Sequence, residues 1–226
     1  MSIQQLHFTL PDGRDLQADL NRAVAAGYTG RDQALVQAHV DELAVQGIAP
    51  PPHIPMLFPL LPTLVTNAEE VAVLGENSTP EIEIALFQVA GTAYVTVASD
   101  QTDRVVEAQD ITLSKNVCPK LVGREAWPLA EVAEHAAELT LTARCNGVLL
   151  QQGALAMMMA PEEILQFVDR HDGPERDARI VFSGTVPTEA QPPKGPVSID
   201  LELADPVLNR KILHSYRLHV LSEYFT

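Results

Sequence analysis

Glu81-Ile82-Glu83-Ile84-Ala85-Leu86-Phe87 is the stretch on which the fold turns. Successive side chains of a β-strand point to opposite faces, so residues two apart share one. Read as a strand, the run sets Glu81 and Glu83 on one face and turns Ile82 and Ile84 to a core. Beyond Gly91 the alternation resumes over Ala93–Ala98 and ends in Ser99-Asp100-Gln101-Thr102-Asp103-Arg104. A second strand is expected there, with Asp100 where the strand gives way to a turn.

Outward from this pair, the chain stays rich in strands. Met56–Leu61, Val71–Leu74, Arg179–Ser183, Val197–Leu203 and Lys211–Val220 read as further strands. Leu139–Arg144 and Val148–Leu150 flank Asn146-Gly147, a strong two-residue hairpin signal. Near the N-terminus, Pro11-Asp12-Gly13 marks a turn between two short strands. Helices are fewer. Leu35, Val36, Val40 and Leu43 recur at helical spacing over residues 31–46, with Gly47 and Pro50-Pro51-Pro52 as stops. Glu131–Glu138 and Pro161–Arg170 read as short helices, the latter with proline early, where its missing N–H costs little. The reading is a mostly β (α+β) fold in one domain, residues 1–226, with residues 1–30 as an N-terminal hairpin extension packed on it. The Pro-rich stretch Gln191–Pro196 is a surface loop rather than a linker.

Composition narrows the function classes. The chain has 226 residues, 46% hydrophobic and 20% charged, enough to bury a full globular core. The net charge of -15 repels a phosphate backbone and argues against nucleic-acid binding. Two cysteines, Cys118 and Cys145, are too few for a disulfide framework and fit a reducing compartment. No apolar run approaches the roughly 20 residues of a membrane helix, and residues 1–20 lack the pattern of a secretion signal. A cytoplasmic protein with no membrane partner is expected.

Three spots carry chemistry. Glu81 and Glu83 on one strand face repel each other unless water or a cation screens them; a solvated strand face is the ordinary reading. Asp100 projects from a strand end, where functional side chains often sit, and equally where Asp caps turns. Together the three carboxylates would suit a hard cation such as Mg2+ or Mn2+ and leave positions open for water and substrate. His39 and Glu42, three apart on the first helix, lie on neighbouring positions of one face. A carboxylate beside an imidazole orients it and raises its basicity, as a general base requires; a surface pair without function has the same spacing. The remaining histidines, His53, His135, His171, His214 and His219, show no partner pattern. Met157-Met158-Met159 reads as core filler, Cys118 as an interior thiol and Trp127 as a packing anchor.

Taken in order, these spots resemble the fumarylacetoacetate hydrolase superfamily over roughly residues 30–187, and most of all a divergent bacterial branch with no assigned activity. The family's His-x-x-Glu, followed by prolines and an apolar strand, is matched by His39-Val40-Asp41-Glu42, Pro50-Pro51-Pro52 and Met56-Leu57-Phe58. Its Glu-x-Glu strand is matched by Glu81-Ile82-Glu83, and its Asn-Asp-x-Ser/Thr-x-Arg by Ser99–Arg104. Its Lys-Ser segment leading to Cys-Pro is matched by Lys115-Asn116-Val117-Cys118-Pro119, its Asn-Gly hairpin by Asn146-Gly147, and its Thr-Gly-Thr-Pro by Ser183-Gly184-Thr185 with Pro187 one place late. Three departures lie where family members meet substrate. The Lys115–Cys118 spacing is shorter than usual, Leu60-Leu61-Pro62 stands where a lysine is common, and Val186 precedes Pro187.

The resemblance implies a mixed β-sandwich roll, a homodimer, and one divalent cation, Mg2+ or Mn2+, on Glu81, Glu83 and Asp100. It implies that Glu42 orients His39, that His39 takes a proton from water, and that Lys115 stabilises the oxyanion formed. Arg104, Gln101 and Thr185 are the implied substrate-holding residues. The implied reaction is hydrolysis of a carbon–carbon bond in a small 2-oxo or 1,3-dicarbonyl carboxylic acid. Decarboxylation, hydration or isomerisation of an oxo-acid through an enolate is the alternative, and a non-catalytic small-acid-binding protein of the same fold is a third.

Overall fold

The computed structural model describes residues 3–45, 50–190, 195 and 197–221, apart from the side chains of His39, Glu42 and Leu43. Two large sheets dominate. The first runs, strand beside strand, Met56–Leu60, Arg22–Gly27, Arg179–Phe182, Ile82–Val89, Thr92–Asp100, Lys120–Val122 and Val65–Thr66, with Trp127–Pro128 also paired to Thr92–Asp100. It is mixed. Arg22–Gly27 lies parallel to Arg179–Phe182, and Lys120–Val122 parallel to Val65–Thr66. The second runs Val148–Ala154, Thr140–Cys145, Val197–Asp205, Arg210–Val220 and Glu70–Val73.

The inner faces of the two sheets make the main core. Ile82, Ile84, Leu86, Val95 and Val97 of the first sheet meet Leu141, Ile199, Leu203 and Ile212 of the second. The outer face of the first sheet is covered as well. Its Ala85, Phe87, Ala98 and Phe182 pack under the N-terminal hairpin, Gln4–Thr9 against Asp15–Leu20, through Leu6, Phe8 and Leu20. The Phe8 and Phe87 rings stack at 4.5 Å.

That second layer corrects the expectation of a solvated glutamate face. The face carrying Phe87 and Ala85 continues along the same strand to Glu83, so Glu83 is only 1% exposed. Burial on both faces also explains the strand Arg22–Gly27, which alternation did not reveal. Ala23, Val24, Ala25 and Ala26 are all buried, and a strand covered on both sides reads as a continuous apolar run.

Most elements lie where periodicity puts them. The first helix spans Gln33–Val45, the helix opened by proline spans Pro161–Asp172, and Thr140–Cys145 pairs with Val148–Ala154. Asn146 and Gly147 take φ of 49° and 79°, the left-handed pair that a tight hairpin requires. Leu35 departs from expectation. Val36 and Val40, one turn apart, face inward, and Leu35 is 61% exposed. Gly47 lies outside the described residues. Between Asp100 and Lys120 the chain forms two short helices, Arg104–Glu107 and Ile111–Asn116, which hydrophobic spacing did not predict. Each is opened by an aspartate. Asp103 accepts from the N–H groups of Val105 and Val106, and Asp110 from that of Leu113. Among the described residues no helix is long and apolar enough to cross a membrane.

Candidate metal centre

Strand register assembles the centre. Ile82–Val89 and Thr92–Asp100 pair antiparallel with Glu83 opposite Ala98, and the Asp100 N–H donates to the Glu81 carbonyl. Glu81, Glu83 and Asp100 therefore share one face at one end of the pair. Each offers an oxygen within 4.8 Å of an oxygen of the others. All three are largely withdrawn from solvent, Asp100 completely.

Each carboxylate is held differently. Glu83 accepts from the Gly184 N–H at 2.9 Å. Gly184 follows the strand Arg179–Phe182 and has φ of 87°, a conformation that favours glycine. Glu81 takes Arg104 at 2.8 Å and Lys115 at 3.2 Å. Asp100 lies between two ammonium groups, Lys115 at 2.6 Å from Oδ2 and Lys120 at 2.7 Å from Oδ1. Lys120 directs its hydrogen bond to the Gln101 carbonyl. Asp100 Oδ1 is buried, and the Lys120 ammonium meets it as an ion pair.

These surroundings split the two glutamates. Burial would raise the pKa of Glu81, but Lys115 and Arg104 overcome it and hold the carboxyl down at about 2. Burial and the charges of Asp100 and Glu81 push Glu83 well above the usual carboxylate range, against the pull of Lys115. Burial would also depress Lys115, yet Asp100, Glu81 and Glu83 together raise it. Lys115, Lys120 and Arg104 supply the positive charge that the carboxylates demand. A hard divalent cation fits the same demand. The donor set is all oxygen, and the oxygens lie within 4.8 Å of one another.

The remaining expected residues are placed as follows. Arg104 opens a short helix and binds Thr79 Oγ1 at 2.6 Å, Glu107 at 2.7 Å and Glu81. It uses three of the five N–H groups a guanidinium carries. Thr185 donates to the Ile82 carbonyl at 2.8 Å and accepts from Gln151 at 2.8 Å. Gln101 is fully buried, its amide between Ser78 and Tyr216. His39 and Glu42 lie in the helix Gln33–Val45, but their side chains are outside the described residues. Cys118 is buried with Sγ 3.3 Å from Ser78 Oγ, and the Arg210 guanidinium covers Trp127 at 4.3 Å.

Two neighbours of the centre escaped the sequence reading. Gln151 is buried, and its side chain bonds the Ile82 N–H and the Val186 carbonyl, which fixes the strand at Glu81–Glu83. Lys120 lies directly across the strand pair from Asp100. Its signal was the alternation Lys120-Leu121-Val122, with Leu121 in the main core and Lys120 opposite in sense.

Residues 26–216 match the family described as "Protein of unknown function (DUF2848)". No curated protein sequence matches the chain. Solved structures do. A "putative fumarylacetoacetate isomerase/hydrolase" from Oleispira antarctica is similar with a TM-score of 0.67 at 22% identity, over 95% of this chain and 99% of that one. The 2-hydroxyhepta-2,4-diene-1,7-dioate isomerase from Mycobacterium marinum is similar with 0.64 at 13% identity, over 99% and 100%. A fumarylacetoacetate hydrolase family protein from yeast is similar with 0.63 at 16% identity, over 91% and 96%. The fold is thus that of the fumarylacetoacetate hydrolase proteins, as the motif order implied.

Proposed function

The chain belongs to the DUF2848 family, and we propose that it is a divalent-cation-dependent enzyme that hydrolyses a carbon–carbon bond in a small 2-oxo or 1,3-dicarbonyl carboxylic acid. The observation that carries this reading is the triad Glu81, Glu83 and Asp100, three largely buried carboxylates with oxygens within 4.8 Å of one another. The names of proteins with the same fold, hydrolases and isomerases of small acids, support it.

Glu81, Glu83 and Asp100 would hold the cation, Mg2+ or Mn2+. When bound, it supplies Lewis-acid stabilisation of negative charge developing on a substrate oxygen. The rest falls to side chains. His39 takes the proton of water, with Glu42 three residues on to orient the ring. Lys115, freed from Asp100 and Glu81, offers its ammonium to the tetrahedral oxyanion. Arg104 keeps two N–H groups free for a substrate carboxylate. In the same reading Thr185 and Gln101 support the carboxylate centre, since the hydroxyl and amide are already engaged. A homodimer in the cytoplasm, with neither nucleic acid nor membrane as partner, completes the proposal.

Decarboxylation, hydration or isomerisation is the second reading. It is favoured by the position of Lys115, whose ammonium touches two of the carboxylates and so stands within reach of a carbanion needing a proton. The test is calorimetry of Mg2+ and Mn2+ with metal-stripped protein, beside Glu83→Gln and Asp100→Asn. Binding by the wild type and loss in both variants is expected; a wild type that binds neither ion defeats the reading. Oxo-acid screening with His39→Ala then separates the reactions. Hydrolysis should disappear in that variant, and a surviving activity on an oxo-acid marks the lyase or isomerase alternative.

A further inference from the structure

Two lysines meet Asp100, and they are built differently. Lys115 rides on the six-residue helix Ile111–Asn116, and its side chain retains 9% exposure. Around it lie Phe58, whose ring centre is 5.8 Å from Nζ, and the carboxylates. A lysine so placed can withdraw by rotating its long stem. Lys120 cannot. It occupies the strand Lys120–Val122, between Thr92–Asp100 and Val65–Thr66, directly opposite Asp100. Its side chain is 0% exposed, and its ammonium is pinned by the Gln101 carbonyl. The Gln101 side chain is fixed in turn by Tyr216 at 2.8 Å and Ser78 at 3.0 Å.

A fully buried lysine–carboxylate pair costs desolvation of both partners and is a poor source of stability. A carboxylate that meets two ammonium groups is also over-neutralised. A divalent cation arriving at Asp100 can displace Lys115, but it must share Asp100 with Lys120. Two like charges sharing one carboxylate repel, and they do so strongly where water is excluded.

We propose that Lys120 is a positioning residue, a fixed positive charge that orients Asp100 and holds down the affinity of the Glu81–Glu83–Asp100 centre for its divalent cation. The inference rests on the cation reading above and adds to it a residue that sets how tightly the ion is held. Its consequence is an ion that exchanges readily and is held firmly only when an anionic ligand compensates the excess charge.

The experiment is Mn2+ binding to the full chain, by calorimetry and by the spin-resonance signal of free Mn2+, for the wild type, Lys120→Met and Lys120→Arg. Lys120→Met should bind Mn2+ more tightly by about tenfold or more, and its melting temperature should rise further on Mn2+ addition than that of the wild type. Lys120→Arg, which keeps the charge, should return the affinity towards wild type. Equal or weaker binding by Lys120→Met beside a wild type that binds overturns the proposal and leaves the cation reading standing. Binding by Lys120→Met alone defeats the cation reading and, with it, the proposal that rests on that reading. Binding by neither overturns both. Should Lys120→Met fail to fold without metal, refolding in millimolar Mn2+ decides: recovery supports the missing-charge account, and failure overturns it.

Discussion

The centre has two walls made by unlike means. The carboxylate wall is a strand pair, Ile82–Val89 with Thr92–Asp100, locked by cross-strand register and buried on both faces. The cation wall comes from residues 104–120, two short aspartate-capped helices and a three-residue strand. In the first wall geometry comes from the backbone, and a side chain's place follows from parity. In the second, Arg104 and Lys115 reach in from short helices and are held by charge, and Lys120 alone is set by strand pairing. The contrast teaches that the carboxylates lie where alternation shows them, while two of their counter-charges, Arg104 and Lys115, lie on helices too short to show a period.

The contrast can be broken at the backbone. Gly184→Ala should cause the largest loss, because a Cβ there would meet Thr29 Oγ1 at 2.4 Å and the Ala26 carbonyl at 2.8 Å. With the positive φ added, roughly 2–4 kcal/mol of stability should go, together with the N–H that holds Glu83. Denaturant unfolding measures it; a change below about 1 kcal/mol would mean that backbone position does not govern this wall.

Next comes the split between the glutamates in metal-free protein. The pKa of Glu81 is lowered from 4.5 to about 2. Its stabilisation should therefore be complete above about pH 4.5 and lost as pH falls towards 2. Glu83 is shifted the other way. The folded state binds its proton more tightly than the unfolded chain, so Glu83 weakens folding increasingly as pH rises above 4.5. Glu81→Gln should cost about 2 kcal/mol at neutral pH, a cost that shrinks on acidification. Glu83→Gln should cost nothing or raise the melting temperature. Thermal melts of both variants from pH 3 to 8 check the signs, and equal losses at neutral pH would contradict the split.

The smallest effect belongs to Arg104→Lys. The side chain is 37% exposed, so solvent screens much of its attraction to Glu81 and Glu107, and about 1 kcal/mol or less should be lost. Melting temperatures at low and high salt test this, with the difference from wild type narrowing as salt increases.

Alternation and turn chemistry made much of the molecule legible beforehand: the N-terminal hairpin, the Asn146-Gly147 hairpin, the closing strands and the acidic strand pair. The order of the motifs pointed to the fumarylacetoacetate hydrolase fold. Other parts were hidden for definite reasons. Arg22–Gly27 is buried on both faces and does not alternate. The helices Arg104–Glu107 and Ile111–Asn116 are too short to show a period of 3.6 residues. Lys120 looked like one lysine among others until its strand was paired.

What the sequence by itself determined was the set of acidic donors and the parity that puts Glu81 and Glu83 on one face, because a strand's two-residue repeat is a local property of the backbone. Only the tertiary structure decided that this face is buried, that Asp100 lies beside the glutamates, and that Lys115, Lys120 and Arg104 surround them. Burial and charge proximity depend on which segments pack together, and here partners 15–34 residues apart in the chain meet; no local repeat encodes such pairings.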